Sequence, residues 1–245
     1  MKRKIFFERR IKEPKEMEIT ELETFEDVSI RSYHQWMIPL VDDALEKACL
    51  TEGKILDIGC GPGLLLKEFA SRSRNLMAYG IDISPSAVKM AINNCKSLKG
   101  VYFSLANVYR LPFNDDTFDL VVCKDSLHHF NTLNLALLEM LRVVKENGLV
   151  YLQDIRRDLP QYLLQRTIPT DTLFKKLQFY SARAAYTKEE IRDTLGMLPI
   201  EHFTVKTRKL TKKVHNHYNG QMDARKLRES FQSRYIAVIK KQRGH

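Results

Sequence analysis

No stretch of this chain approaches the roughly 18 consecutive apolar residues of a membrane span, so no transmembrane segment is expected. The opening MKRKIFFERR is positive, but only Ile5 to Phe7 stand where a secretory signal needs a long apolar region, which gives a cytoplasmic expectation. Cysteine is sparse: Cys49, Cys60, Cys95 and Cys123 include no C-x-x-C pair. That spacing supports neither a disulfide framework nor a zinc site, so all four are read as free thiols and no metal is expected. Internal repeats and low-complexity tracts are also lacking, which excludes solenoids and disordered arrays.

What is present suits one α/β domain of 245 residues with a cap or insertion: 44% hydrophobic and 29% charged residues are ordinary globular values. The net charge of +10 is unevenly spread. Residues 1–15 carry seven Lys/Arg and two Asp/Glu, residues 16–30 none and six, residues 31–204 21 and 20, and residues 205–245 twelve and two. The body is neutral and the excess lies in the C-terminal segment. Such a segment suits an anionic small molecule, RNA or a membrane surface, or serves as a solvated surface.

Residues 1–30 switch from basic to acidic without clear periodicity and read as a loosely docked N-terminal arm, with 31–245 as the single domain. From Ser32 a helix carries Met37, Leu40, Val41, Ala44, Leu45 and Ala48 on one face. Strands are expected at Lys54–Ile58, Leu76–Ile83, Val101–Ala106, Phe118–Cys123 and Gly148–Ile155, the last entered from a helix end at Lys145–Gly148. Ser84-Pro85 is an N-cap and first helical residue, and the helix that follows turns Val88, Ala91, Ile92, Cys95 and Leu98 inward. A further apolar face runs through Leu133, Leu137, Met140, Leu141 and Val144. Strands alternating with such helices predict a doubly wound, mostly parallel sheet with right-handed crossovers. Residues 156–186, with Pro160 and Pro169 between helical patches containing Tyr162, Leu163, Leu173, Phe174, Leu177 and Tyr180, read as a helical lid. Thr187 and Glu190 form a capping box, Gly196 closes that helix, and strands near His202–Leu210 and Arg234–Lys240 finish the sheet, the last antiparallel. Between them, 211–233 is a basic connection too long for a simple hairpin.

The densest chemical signal is KILDIGCGPGLLL, Lys54 to Leu66, which reads as strand, glycine loop and helix, a cradle for a nucleotide-like ligand. The glycines fall G-x-G-x-G, and Leu64 stands where a dinucleotide fingerprint places its third glycine, which disfavours a dinucleotide oxidoreductase. With Asp57 two residues before Gly59, the stretch resembles the first motif of class I S-adenosylmethionine-dependent methyltransferases. The resemblance implies a Rossmann-like methyltransferase fold of seven strands and S-adenosyl-L-methionine as cofactor. Asp57, Gly59, Cys60, Gly61 and Gly63 would handle its amino-acid end, Asp57 also holding the loop. Asp82, 25 residues after Asp57 and followed by Ile83, would bind the ribose. In Leu105-Ala106-Asn107-Val108 the family's adenine-binding acid is replaced by Asn107, whose amide oxygen still accepts a hydrogen bond.

FDLVVCKDSLHHF, Phe118 to Phe130, resembles the fourth motif of the family's small-molecule branch, placing Cys123 and Lys124 beside the methionine part and Asp125, His128 and His129 on the acceptor side as candidate catalytic residues. A histidine there is mostly neutral at pH 7 and able to take a proton, while capping or packing is the alternative for His129. Ser181 to Glu190 resembles the segment leading from that branch's lid back to the body, so the likeness spans roughly residues 33 to 240. It implies in-line methyl transfer to a small-molecule acceptor. Two rivals stand beside it. An RNA or tRNA methyltransferase would use the basic C-terminal segment, although Asp125-Ser-Leu-His is unlike the N-P-P-[FYW] motif of base amino-methylases. A non-catalytic S-adenosylmethionine-binding protein is encouraged only by Asn107. Oligomeric state leaves no mark in the sequence.

Overall fold

The computed structural model describes residues 10–13, 18–31, 33–159, 163, 172–209, 229 and 231–241. Helices α1 (Ile19–Arg31) and α2 (Tyr33–Ala48) precede strand β1 (Gly53–Ile58), helix α3 (Leu64–Arg72), β2 (Leu76–Asp82), α4 (Pro85–Cys95) and β3 (Val101–Leu105). Strand β4 (Phe118–Lys124), a 3-10 turn at Leu127–His129, α5 (Leu133–Val143) and β5 (Val144–Ile155) follow. Helices α6 (Leu173–Ala184) and α7 (Lys188–Gly196) and strands β6 (His202–Thr207) and β7 (Arg234–Lys240) complete the order.

The seven strands form one sheet in the order β3-β2-β1-β4-β5-β7-β6. Its first five are mutually parallel, and β7 runs antiparallel to both β5 and β6, as expected for the last strand. The order reverses between β1 and β4, so their carboxyl ends open a crevice there. Leu40, Val41 and Ala44 of α2 and Leu65, Leu66 and Phe69 of α3 pack one face of the sheet; Leu137 and Met140 of α5 and Ile191 and Leu195 of α7 pack the other. Each such large aliphatic stabilises by about 1.5–3 kcal/mol relative to exposure. The local signals behave as expected. Ser84 Oγ accepts from Ala87 N–H with Pro85 at the first helical position, and Thr187 and Glu190 close a reciprocal capping box.

Four expectations are corrected. Residues 18–31 are no loose arm: α1 buries Leu22, sets Phe25 edge-on to Phe174 of α6 at 6.2 Å and packs on α2, α4 and α6. Ile92 on α4 is exposed, because α4 meets the body over a narrower stripe than the apolar spacing suggested. Helix α5 ends at Val143, and Val144 already pairs with Phe118 of β4. Lys145–Gly148 is an excursion within β5, with Asn147 at φ 62° and Lys145 Nζ bonded to Asp119 Oδ1 at 2.8 Å; pairing resumes at Leu149 with Leu120. Of the expected lid, α6 and Leu163 are described, whereas Pro160, Tyr162 and Pro169 lie outside the described residues, as do Leu210 and nearly all of the basic connection 211–233.

Candidate functional site

Beyond β1 the chain turns through Gly59, Gly61 and Gly63, all three with positive φ, into α3, and the N–H groups of Gly59 and Cys60 both reach Ile81 O at 2.9 Å. A Cβ built at Gly61 meets nothing within 4 Å, so this backbone faces open space, with φ 50°. Gly63 has a different task. Its Cβ would meet Phe103 at 2.9 Å and Ala91 at 3.0 Å, so it lets the loop pack on the next helix and does not line the cavity. The loop is braced by Asp82, whose Oδ2 accepts from Gly61 N–H at 3.0 Å while Oδ1 accepts from Ser84 N–H at 2.9 Å. The expected loop-holding task of Asp57 therefore falls to Asp82, and each carboxylate oxygen of Asp82 keeps a second acceptor site.

Asp57 lies under the loop, 2% exposed. Burial pushes its carboxyl up to about 7, Lys124 opposing and Asp82 adding to the rise. Farther along the crevice, Asn107 Oδ1 accepts from Tyr109 N–H at 3.0 Å and shapes the turn after β3, leaving a free lone pair. Ile83 is 60% exposed, an apolar side chain presented to the crevice beside Val108. Cys123, near the end of β4, turns its side chain into the core, so only its backbone remains for the role expected beside the methionine part.

At the other end Asp125, at φ 51°, lies between Lys124 Nζ at 2.6 Å and Arg234 Nε at 2.9 Å. Burial would raise its carboxyl, but these two cations outweigh burial and hold it well below the usual range. Paired with both cations, Asp125 is anchored at the acceptor end of the site. Arg234 lies over the Trp36 ring at 3.9 Å, and Trp36 stacks on Phe231.

His128, 4% exposed, bonds Asp154 twice: its Nδ1 lies 2.8 Å from Oδ1 and its N–H donates to Oδ2 at 3.0 Å. Burial alone would lower its pKa, yet Asp154 and Glu13 reverse the shift and raise it. The His129 ring lies 4.2 Å from that of His128, and its Nδ1 is 3.2 Å from Glu13 Oε2. Glu13 also accepts from Ser181 Oγ at 2.8 Å. Arg10 fastens this part of the chain to the body, donating to the carbonyls of Ala184, His128 and Phe130. The sequence reading missed Arg10, Glu13, Trp36, Asp154 and Arg234. Asp154 carried a usable signal, an acid at a strand's carboxyl end, while Glu13 carried none.

One cavity of about 740 Å³ joins these groups. Gly59–Pro62, Asp82, Ile83 and Asn107 line one end; His128, His129 and Glu13 line the other, with Leu22, Phe25, Leu163 and Phe174 as apolar cover. Among the described residues no helix is long and apolar enough to cross a membrane.

Comparison with known proteins agrees with this architecture. The chain is 32% identical over 108 residues to the uncharacterized methyltransferase YcgJ of Bacillus subtilis, covering 43% of this chain and 42% of that protein. It is 32% identical over 135 residues to the mitochondrial ubiquinone biosynthesis O-methyltransferase of Schizosaccharomyces pombe, covering 52% and 47%. The matches thus span less than half the length of these two relatives. In fold, the YcgJ crystal structure superposes with TM-score 0.61 at 20% identity over 86% of this chain and all of that one. The plantazolicin methyltransferase BpumL, crystallised with a desmethylPZN analog and SAH, gives 0.70 at 16% identity over 91% of each chain. The family model described as a methyltransferase domain matches residues 51–219, and the chain belongs to that family.

Proposed function

We propose that this protein is an S-adenosylmethionine-dependent methyltransferase acting on a small-molecule acceptor. The observation that carries the reading is the single cavity with two chemically different ends, large enough for a nucleoside-type cofactor and an acceptor together. Its glycine end fits the cofactor: Gly61 backbone without a Cβ leaves room for close approach, Asp82 retains acceptor capacity for ribose hydroxyls, and Ile83, Asn107 and Val108 offer an apolar face and polar edge for adenine. Asp57, Gly59, Cys60 and the Lys124 backbone lie where the amino-acid end would sit, whereas Gly63 and the Cys123 side chain act through packing.

When bound, the cofactor supplies an activated methyl on a sulfonium. The chain's own part is alignment and exclusion of water, and orientation of this kind contributes several kcal/mol. Helices α1 and α6 close over the acceptor end with Leu22, Phe25 and Phe174. Glu13, His128 and His129 are the groups placed to deal with the acceptor's proton. The names of the relatives, which include O-methyltransferases, support a small acceptor, and the four free thiols suit the cytoplasm. Calorimetric titration with S-adenosylmethionine, S-adenosylhomocysteine and NAD tests the cofactor. Saturable one-to-one binding of the first two is expected, and tight binding of NAD alone overturns the reading.

A further inference from the structure

The acceptor end contains a grouping that proton transfer by a histidine leaves partly unexplained. His128 Nε2, Glu13 Oε1 and Oε2 and His129 Nδ1 converge, with one ligand atom from each residue inside 4.8 Å of the others. Glu13 Oε2 is 3.2 Å from His129 Nδ1, but His128 Nε2 is 3.8 Å from Glu13 Oε1, beyond a hydrogen bond. An ion pair between Glu13 and one imidazole accounts for the first distance and leaves the second idle. Donors sharing one tetrahedral ion lie roughly 3.3 Å apart when each bond is about 2.0 Å; the His129 distance matches that value, and the His128 distance, to the other Glu13 oxygen, is longer, so the carboxylate would face the ion with both oxygens.

The surroundings favour a metal-ligating tautomer. Asp154, 1% exposed at its side chain, takes the Nδ1 proton of His128 at 2.8 Å and also its main-chain N–H at 3.0 Å. Ring and main chain are thereby tied to one carboxylate, which leaves Nε2 on the side of Glu13 and the cavity. Carboxylate–histidine pairs of this form orient the histidine ligands of metal sites. Glu13 is oriented in turn by Ser181 Oγ at 2.8 Å. The neighbouring cation Arg10 is committed to carbonyls of Ala184, His128 and Phe130, so it does not pair with the Glu13 carboxylate.

We infer that Glu13, His128 and His129 bind one divalent cation of the imidazole-preferring kind, with Asp154 orienting His128 and a fourth position open to the cavity. Two histidines and a carboxylate with an open position is a donor set that zinc accepts in catalytic sites. On the methyltransferase reading, which this extension rests on for its substrate, the acceptor is a compound whose hydroxyl takes that open position. A hydroxyl bound there ionises more readily, its proton passing to solvent. The oxygen then forms the new C–O bond as the methyl–sulfur bond breaks and its electron pair stays on sulfur, giving S-adenosylhomocysteine.

Chelator-treated full-length protein without an affinity tag, titrated with zinc(II) by competition against a chromophoric chelator and with cobalt(II) by visible absorption, tests this directly. The expected result is one equivalent bound in the micromolar range or tighter, with the cobalt spectrum of a four-coordinate site. Glu13→Gln and His129→Ala should each weaken binding at least about tenfold, and Asp154→Asn about 10-fold, with circular dichroism and S-adenosylmethionine affinity preserved. Binding that is absent, or that survives unchanged in Glu13→Gln and His129→Ala, overturns the metal site. Failure to bind S-adenosylmethionine with metal binding intact would overturn only the methyltransferase reading.

Discussion

At the glycine end of the cavity most of the polar groups come from the three successive strand ends between Asp57 and Val108, whereas at the acceptor end Glu13, His128, Asp154, Ser181 and Arg234 come from five separated parts of the chain. The first end is a backbone device: loop N–H groups tied to Ile81 O and Asp82, with little side-chain chemistry. The second is built of side chains whose charges hold one another, Asp125 with Lys124 and Arg234, His128 with Asp154, His129 with Glu13. A local device tolerates loss of distant contacts. A composite one depends on every segment being docked.

The sharpest way to separate the two ends is His128→Ala. On the proposed function it should lower kcat about 10²–10⁴-fold while calorimetry finds S-adenosylmethionine affinity little changed; a parallel fall in both would mean the ends are not separable. Asp82→Ala is the mirror experiment. It removes both the brace on Gly61 and the acceptor for the ribose, so cofactor affinity should fall about 100-fold, equivalent to about 2.7 kcal/mol, with the fold intact by circular dichroism. Next in size, Gly63→Ala places a Cβ against Phe103 and Ala91 at a positive φ and should cost about 1–3 kcal/mol in urea unfolding. An unchanged midpoint would show that the helix contact is looser than the packing implies.

The last test concerns pH. Asp57 titrates near 3.8 when unfolded and is raised to about 7 when folded. The folded state therefore binds more protons between these values, and stability is fully present below about pH 4 and is lost as pH rises through 7. Asp57→Asn should remove this slope and raise stability at neutral pH by about 1 kcal/mol or more, read from thermal melts across pH 4 to 8. A slope unchanged in the variant would place the titration on another group.

Much of the glycine end was legible in the chain, because its parts lie beside one another in sequence. Asp57, Gly59, Gly61, Asp82, Ile83 and Asn107 each sit at a strand end, and alternating strands and helices bring strand ends of a parallel sheet to one side. Two details at this end needed packing. The expected bracing task passes from Asp57 to Asp82, and the Cys123 side chain faces the core, since which way a strand-end side chain points depends on the neighbouring layer. The acceptor end was half legible. Asp125, His128 and His129 stood out by motif, but the motif does not show that Arg234 pairs with Asp125 from β7.

The sequence by itself determined the sheet of alternating elements, the glycine loop and the acid after β2, all consequences of periodicity and backbone freedom acting over a few residues. Only the tertiary structure decided that α1 docks, that Glu13 meets His128 and His129, and that Asp154 sets the tautomer of His128. Those contacts join segments whose spacing carries no periodic signal, and they form because burial of Leu22, the edge contact of Phe25 with Phe174 and the bonds of Arg10 bring the N-terminal residues onto the cavity.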